Sequence, residues 1–152
     1  MSETLEALTH DRRPKTPWHI WTVGIIATLW NAGGVLDYVM TQTRNESYLG
    51  SFSPEQPDYF FNFPIWANIA WAFGVWGAFI GSLLILLRSR YAVAAFIISL
   101  LGLIGSTIYQ MTADMPSSLN TPGIWAFNAL IWTSVIFLIW YSSKMTGKGI
   151  LR

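Results

Sequence analysis

The chain has 152 residues, 53% of them hydrophobic and only 11% charged, with nine Trp and a formal net charge of +1, and its mean hydropathy is +0.40. A soluble domain of this length carries about 25% charged residues, so the composition points to lipid as the solvent. No basic block interleaved with aromatics marks a nucleic-acid partner. With no cysteine, disulfides, Fe–S clusters and thiolate zinc sites are excluded.

Residues 1–16 form a polar stretch with Glu3, Glu6, Asp11, Arg12, Arg13 and Lys15. It reads as a cytoplasmic tail in front of a retained membrane helix. The apolar run behind it is too long for a signal-peptide core, and no small-residue cleavage site follows. The histidines, His10 and His19, lie before or at the start of that run. A bis-histidine haem needs imidazoles deep in the bundle; none is available, and neither a metal nor a cofactor is expected.

Four apolar segments follow, at 17–40, 60–87, 91–111 and 122–141. Each reaches the ~20 residues that cross ~30 Å of hydrocarbon at 1.5 Å per residue. Thr16-Pro17 and Thr121-Pro122 each offer a hydroxyl cap before a proline at the first helical position, and Phe63-Pro64 marks the start or a kink of the second helix. In the 41–59 connection, Ser53-Pro54-Glu55-Gln56 has the order of a capping box. It predicts a short surface helix with Tyr59, Phe60, Phe61 and Phe63 at the interface, or an aromatic-anchored loop. Only Arg88-Ser89-Arg90 joins the second and third segments, and 112–121 joins the third and fourth. A basic tail, 142–152, closes the sequence.

Eight of the nine Lys and Arg precede segment one, join two and three, or follow four; Arg44 is the exception. Glu46, Glu55, Asp58 and Asp114 lie on the other side. The positive-inside rule then makes both termini cytoplasmic and the 41–59 and 112–121 loops periplasmic. The fold class is an all-α membrane protein, a four-transmembrane-helix antiparallel bundle over 17–141. Small residues recur at spacings of three and four: Gly24, Ala27, Asn31, Gly34 and Tyr38; Ala67, Ala70, Gly74, Gly77 and Gly81; Ala95, Ser99, Gly102, Ser106 and Gln110. In lipid such stripes pack helices closely, predicting a tight bundle without a wide pore and a close-packing site at Gly33-Gly34.

Counted by depth, Asn31 lies seven residues, ~10 Å, below Tyr38. Asn68, Ser106 and Asn128 also fall in the outer half, beneath Asp37, Tyr38, Tyr109 and Gln110. This cluster either packs helices or contacts a polar ligand. Asp37 is the only acid inside an apolar segment. A charge at mid-bilayer costs roughly 2.5–3.5 kcal/mol and less near the interface. Asp37 therefore reads as an interface carboxylate satisfied by water, Arg44 or an N–H, as a ligand- or proton-coupling group, or as a subunit contact. No nucleophile–base pair, phosphate-cradling loop or paired carboxylates are present, so no catalytic residue is assigned and the chain is not expected to be an enzyme.

Leu29-Trp30-Asn31-Ala32-Gly33-Gly34, Asp37 to Glu46 (Asp-Tyr-Val-Met-Thr-Gln-Thr-Arg-Asn-Glu), Ser53 to Gln56, Phe63-Pro64, Trp71 to Gly77 and Gly81 to Leu84 resemble a family of small four-helix inner-membrane proteins of Gram-negative bacteria. Some members carry the loose name "sugar transporter". The resemblance spans about residues 18 to 141; it implies fold and compartment and assigns no functional residue. The outline also resembles small multidrug-resistance exporters, which look built around a glutamate in the middle of helix one, where this chain has Ala27 and Thr28. Two functions are weighed: a structural or accessory subunit, alone, as a homo-oligomer or in a larger membrane complex, and a small transporter of a polar solute. The lipid bilayer is the partner common to both.

Overall fold

The structure, a computed structural model, describes residues 14–152. The predicted tail over 1–16 lies almost wholly outside the described residues. Among these the fold is all-helical: α1 (His19–Gln42), α2 (Glu46–Leu49), α3 (Glu55–Phe61), α4 (Ile65–Leu86), α5 (Ala92–Thr112) and α6 (Pro122–Gly147). Four of them, α1, α4, α5 and α6, are long and apolar enough to cross a membrane, which makes this a multi-pass membrane protein. The Arg88–Arg90 side is termed here the connector end, and the side bearing α2, α3 and residues 113–121 the loop end.

The helix boundaries follow local chemistry, with three departures from expectation. Thr121 caps α6 as predicted, its hydroxyl accepting from the Ile124 N–H at 3.3 Å. Thr16 does not cap α1: its hydroxyl accepts from Arg88 Nη1 at 2.7 Å, and α1 starts at His19 with Trp18 in the cap position. Pro64 is extended (φ −61°, ψ 154°), so residues 60–64 leave the expected 60–87 span. A proline lacks the N–H to continue a helix and pushes its predecessor out of helical geometry. The capping box at 53–56 is not closed either, because α3 begins after Pro54 without a side-chain cap and the Gln56 amide donates to the Ser118 carbonyl at 3.2 Å.

Three helices end in the same way, with a left-handed residue and reversed backbone bonds. At α4 the Ser89 N–H reaches Leu84 O at 2.8 Å and the Arg88 N–H reaches Ile85 O at 2.9 Å. Left-handed Arg44 (φ 53°), Arg88 (φ 54°) and Gly149 (φ 69°) terminate α1, α4 and α6. The expected 142–152 tail is therefore no tail. α6 runs on to Gly147, and the turn at Gly149 folds Ile150 and Leu151, 6% and 2% exposed, into the core. Arg152 then exchanges backbone bonds with the connector, its N–H to Arg88 O at 2.8 Å and the Arg90 N–H to its own carbonyl at 3.0 Å.

The closest packing lies between α4 and α5, where the two predicted small-residue stripes meet. Ser99 Oγ donates to Gly74 O at 2.6 Å. A Cβ on Gly77 would sit 2.9 Å from Ser99 N and 3.0 Å from Ala95 O, one on Gly81 would strike the Phe96 ring at 2.8 Å, and one on Gly102 would run into the Gly74 backbone. α1 lies on α4 through Gly24 against Leu86, Asn31 against Ser82 and Tyr38 against Trp71. α6 reaches α5 through Trp132 Nε1, donating to Thr107 Oγ1 at 3.3 Å. It reaches α1 through His19–Tyr141 and Trp30–Phe127.

The apolar core gathers at the connector end, from Ile20, Ile85, Phe96, Leu138, Met145, Leu151 and their neighbours. The bundle is not uniformly tight: in the most apolar 18 residues, only 11% are buried in α1 and in α6, against 33% in α5. At Gly33 and Gly34 an added Cβ would meet nothing within 4 Å, so the predicted close-packing site is open: Gly33 is exposed, and Gly34, half-buried, shares the face of Asn31 and Tyr38 without touching α4.

The glycines therefore divide into two classes. Gly77→Ala and Gly102→Ala are expected to lower the stability by about 1–3 kcal/mol, the cost of overpacking. Gly33→Ala and Gly34→Ala are expected to be neutral or to gain up to about 1 kcal/mol from helix propensity. Denaturant unfolding in detergent micelles measures both, and equal losses in the two pairs would contradict the packing described.

Candidate functional site

The polar groups predicted to share the outer half are separated into small local pairings. Asn31 Nδ2 donates to Ser82 Oγ at 2.9 Å and to its own helix at Ala27 O at 2.9 Å. Ser82 Oγ in turn donates to Ala78 O at 2.8 Å, so this α1–α4 contact is a closed chain of bonds within the bundle. Asn68 pairs with Gln42, whose Nε2 donates to Asn68 Oδ1 at 2.8 Å while Asn68 Nδ2 returns a longer bond to Gln42 Oε1 at 3.4 Å. Ser106 is buried and donates to Gly102 O at 3.0 Å. Asn128 is half-buried and makes no side-chain hydrogen bond among the described residues. Gly34 faces open space.

Asp37 is exposed and takes a partner that the sequence reading missed. Its Oδ1 accepts from the Tyr48 hydroxyl at 2.7 Å. Arg44 does not reach back to it, because α1 ends at Gln42 and the left-handed turn at Arg44 carries the guanidinium to 4.3 Å from the centre of the Phe61 ring. What brings Tyr48 over Asp37 is the cap of α2: Asn45 Oδ1 accepts from the Tyr48 N–H at 3.0 Å. Asn45 followed by Glu46 was the available signal, an Asx cap with an acid in the first turn.

Tyr38 and Tyr109 belong to an aromatic layer rather than to a polar cluster. The Tyr38 ring stands edge-on to Trp71 at 4.9 Å, and Trp71 stacks on Phe60 at 5.3 Å. Phe63 lies 4.5 Å from Tyr109, and Tyr59 lies 5.4 Å from Phe63. The short helix α3 is thus folded onto the ends of α4 and α5 by its own aromatics. Burial raises the Tyr59 phenol above its ordinary pKa, with Tyr109 adding to the effect. Its hydroxyl and that of Ser118 are buried without a partner among the described residues.

Gln110 lies apart from all of these, in an open recess of about 430 Å³ lined by Met111, Ala113, Asp114, Met115, Asn120 and Trp125. There Trp125 Nε1 donates to Asn120 Oδ1 at 2.7 Å. Among the described residues no three of His, Cys, Asp or Glu come together as a metal-ligand set. A nucleophile beside a general base is not assembled either. The nearest approach to one, His19 Nδ1 at 2.6 Å from the Tyr141 hydroxyl, joins α1 to α6 next to the core.

Tyr48 reports on the Asp37 contact. Its phenol is pushed up to about 12, by burial first and then by the hydrogen bond to Asp37 and its charge. A pKa raised in the folded state means the bond contributes fully below the ordinary value near 10 and is lost as the pH climbs through about 12. The phenolate absorbance difference between wild type and Tyr48→Phe is expected to rise near pH 12, and Asp37→Asn is expected to bring that midpoint part of the way down. A wild-type midpoint at the ordinary value would contradict the contact.

Compared with protein-family models, with curated protein sequences and with solved structures, the chain matches none.

Proposed function

We propose that this chain is a non-enzymatic structural or accessory subunit of the bacterial inner membrane, folded as an antiparallel four-helix bundle with both ends of the sequence cytoplasmic. The order of contacts supports the antiparallel arrangement. Gly81 meets Phe96 and Gly74 meets Gly102, and His19 meets Tyr141 where Trp30 meets Phe127. The orientation rests on charge. Lys15, Arg88, Arg90, Lys144, Lys148 and Arg152 lie at the connector end, while Asp37, Glu46, Glu55, Asp58 and Asp114 lie at the loop end with Arg44. The inner-membrane compartment follows the family resemblance of the Trp30–Glu46 run.

One observation carries the subunit reading. α1 and α6 leave most of their surface outside the bundle, and α1 leaves its glycine pair uncovered. In lipid, close approach at small residues is what holds helices together. An open Gly33-Gly34 face is therefore suited to a helix of another subunit. The transporter reading is weaker, because its cluster does not converge. Asn31 is bonded to Ser82, Asn68 to Gln42 and Asp37 to Tyr48, at three separate places.

Native mass analysis after mild detergent extraction tests the proposal. A defined species heavier than the monomer is expected, and Gly34→Leu is expected to dissociate it without lowering the unfolding midpoint of the monomer. Monomer alone in every mild detergent would contradict a subunit role.

A further inference from the structure

Among the described residues, the charges at the connector end have no acidic counterpart there. Six cationic side chains, Lys15, Arg88, Arg90, Lys144, Lys148 and Arg152, lie there, and every Asp and Glu among the described residues lies at the loop end. Three of these cations are drawn together by the backbone. Arg152 donates its N–H to Arg88 O at 2.8 Å and accepts from the Arg90 N–H at 3.0 Å, which joins the backbones of three arginines at one two-bond bridge. Among the described residues their contacts are to neutral groups: Arg88 Nη1 to Thr16 Oγ1 at 2.7 Å, Arg152 Nε to Gly149 O at 3.4 Å, and Arg90 beside the Tyr91 ring at 5.5 Å.

The bridge is also held at a cost. Arg88 adopts the left-handed conformation (φ 54°), which glycine takes freely and an L-residue takes only against steric strain. Like charges gathered on a strained turn call for an anion. The surroundings identify its source. Trp18, Tyr91 and Trp140 at this end are 76%, 62% and 55% exposed, and Lys144 Nζ lies 4.9 Å above Trp140. Exposed Trp and Tyr beside Lys are the mark of the headgroup layer, where basic pockets between membrane helices hold anionic lipid heads.

We propose that the Arg88–Arg90–Arg152 bridge is a binding site for the phosphate of an anionic phospholipid of the surrounding bilayer. The guanidinium donors without a partner among the described residues suit phosphate oxygens, which arginine binds through paired N–H groups, while the acyl chains lie along the apolar outer surface. The site rests on the reading that this end of the bundle sits at a bilayer headgroup layer.

The test is native mass spectrometry of the detergent-purified chain titrated with dioleoyl phosphatidylglycerol or dioleoyl phosphatidylcholine. Wild type is expected to retain phosphatidylglycerol in preference. Arg90→Gln is expected to weaken it about fivefold and Arg90→Gln/Arg152→Gln about 25-fold, at the worth of one cation each near an anionic surface. Both variants keep the backbone bridge, and an unchanged unfolding midpoint in phosphatidylcholine checks the fold. Lys144→Gln/Lys148→Gln removes as many charges from the same end and is expected to weaken binding less than about fivefold, below the worth of a single bridge guanidinium. Equal retention of the two lipids, or equal losses in the two double variants, overturns the site; displacement by inorganic phosphate overturns the lipid as its source. Alkaline carbonate extraction separates the failures. Release from membranes sinks the spanning reading and the site with it, whereas retention without a phosphatidylglycerol preference sinks the site alone.

Discussion

The contact of α4 with α5 is the constraint on which the remaining architecture depends. Lipid tails are as apolar as leucine, so membrane helices are held by close packing and hydrogen bonds rather than by escape from water. Gly77 and Gly102 bring the two backbones to distances that no side chain would permit, and Gly81 leaves room for the Phe96 ring. Ser99 adds a bond to the Gly74 carbonyl at 2.6 Å. The three-residue connector Arg88-Ser89-Arg90 supplies the turn, and the α4 cap bonds fix its direction. α1 attaches to α4 through Asn31 and Ser82, and α6 attaches to α5 through Trp132 and Thr107.

The two ends are closed by different physics. At the connector end Ile150 and Leu151 complete an apolar core with Ile20, Phe96 and Met145, and the backbone of Arg152 ties that core to the connector. At the loop end, α3 and its aromatics cover the helix ends, and polar groups form separate pairs, Asp37 with Tyr48 and Gln42 with Asn68. The middle of α1 and α6 carries the least protein contact. A protein built this way has its closest packing at one pair of helices and its least covered surface on the other two.

The four apolar segments were legible because each is a long continuous run, and the α4–α5 stripes because glycine, alanine and serine recur at helical spacing. Thr121-Pro122 was legible as a helix start because its cap is local. The failures all involve groups brought together from a distance or by an unusual turn. Arg44 and Arg88 stop their helices in the left-handed conformation where a reader looks for glycine, so the continuation of α1 that would have paired Arg44 with Asp37 was an error of helix length. Gly33-Gly34 has the composition of a contact, but whether a face is covered depends on how α1 rolls on α4. Ile150 and Leu151 read as a tail because the folding back at Gly149 depends on Met145 and the core beneath it. The candidate polar cluster shared a depth, and depth along a helix does not decide azimuth around it.

Hydrogen exchange of the backbone amides in lipid nanodiscs tests the central claim most directly. Exchange requires local opening of helical hydrogen bonds, and it is slowest where packing is densest. The account predicts the slowest amides over 74–81 in α4 and 95–102 in α5, with faster exchange over 122–134 in α6 and 30–37 in α1. Equal protection along all four long helices, or slower exchange in α6 than in the α4–α5 contact, would contradict it.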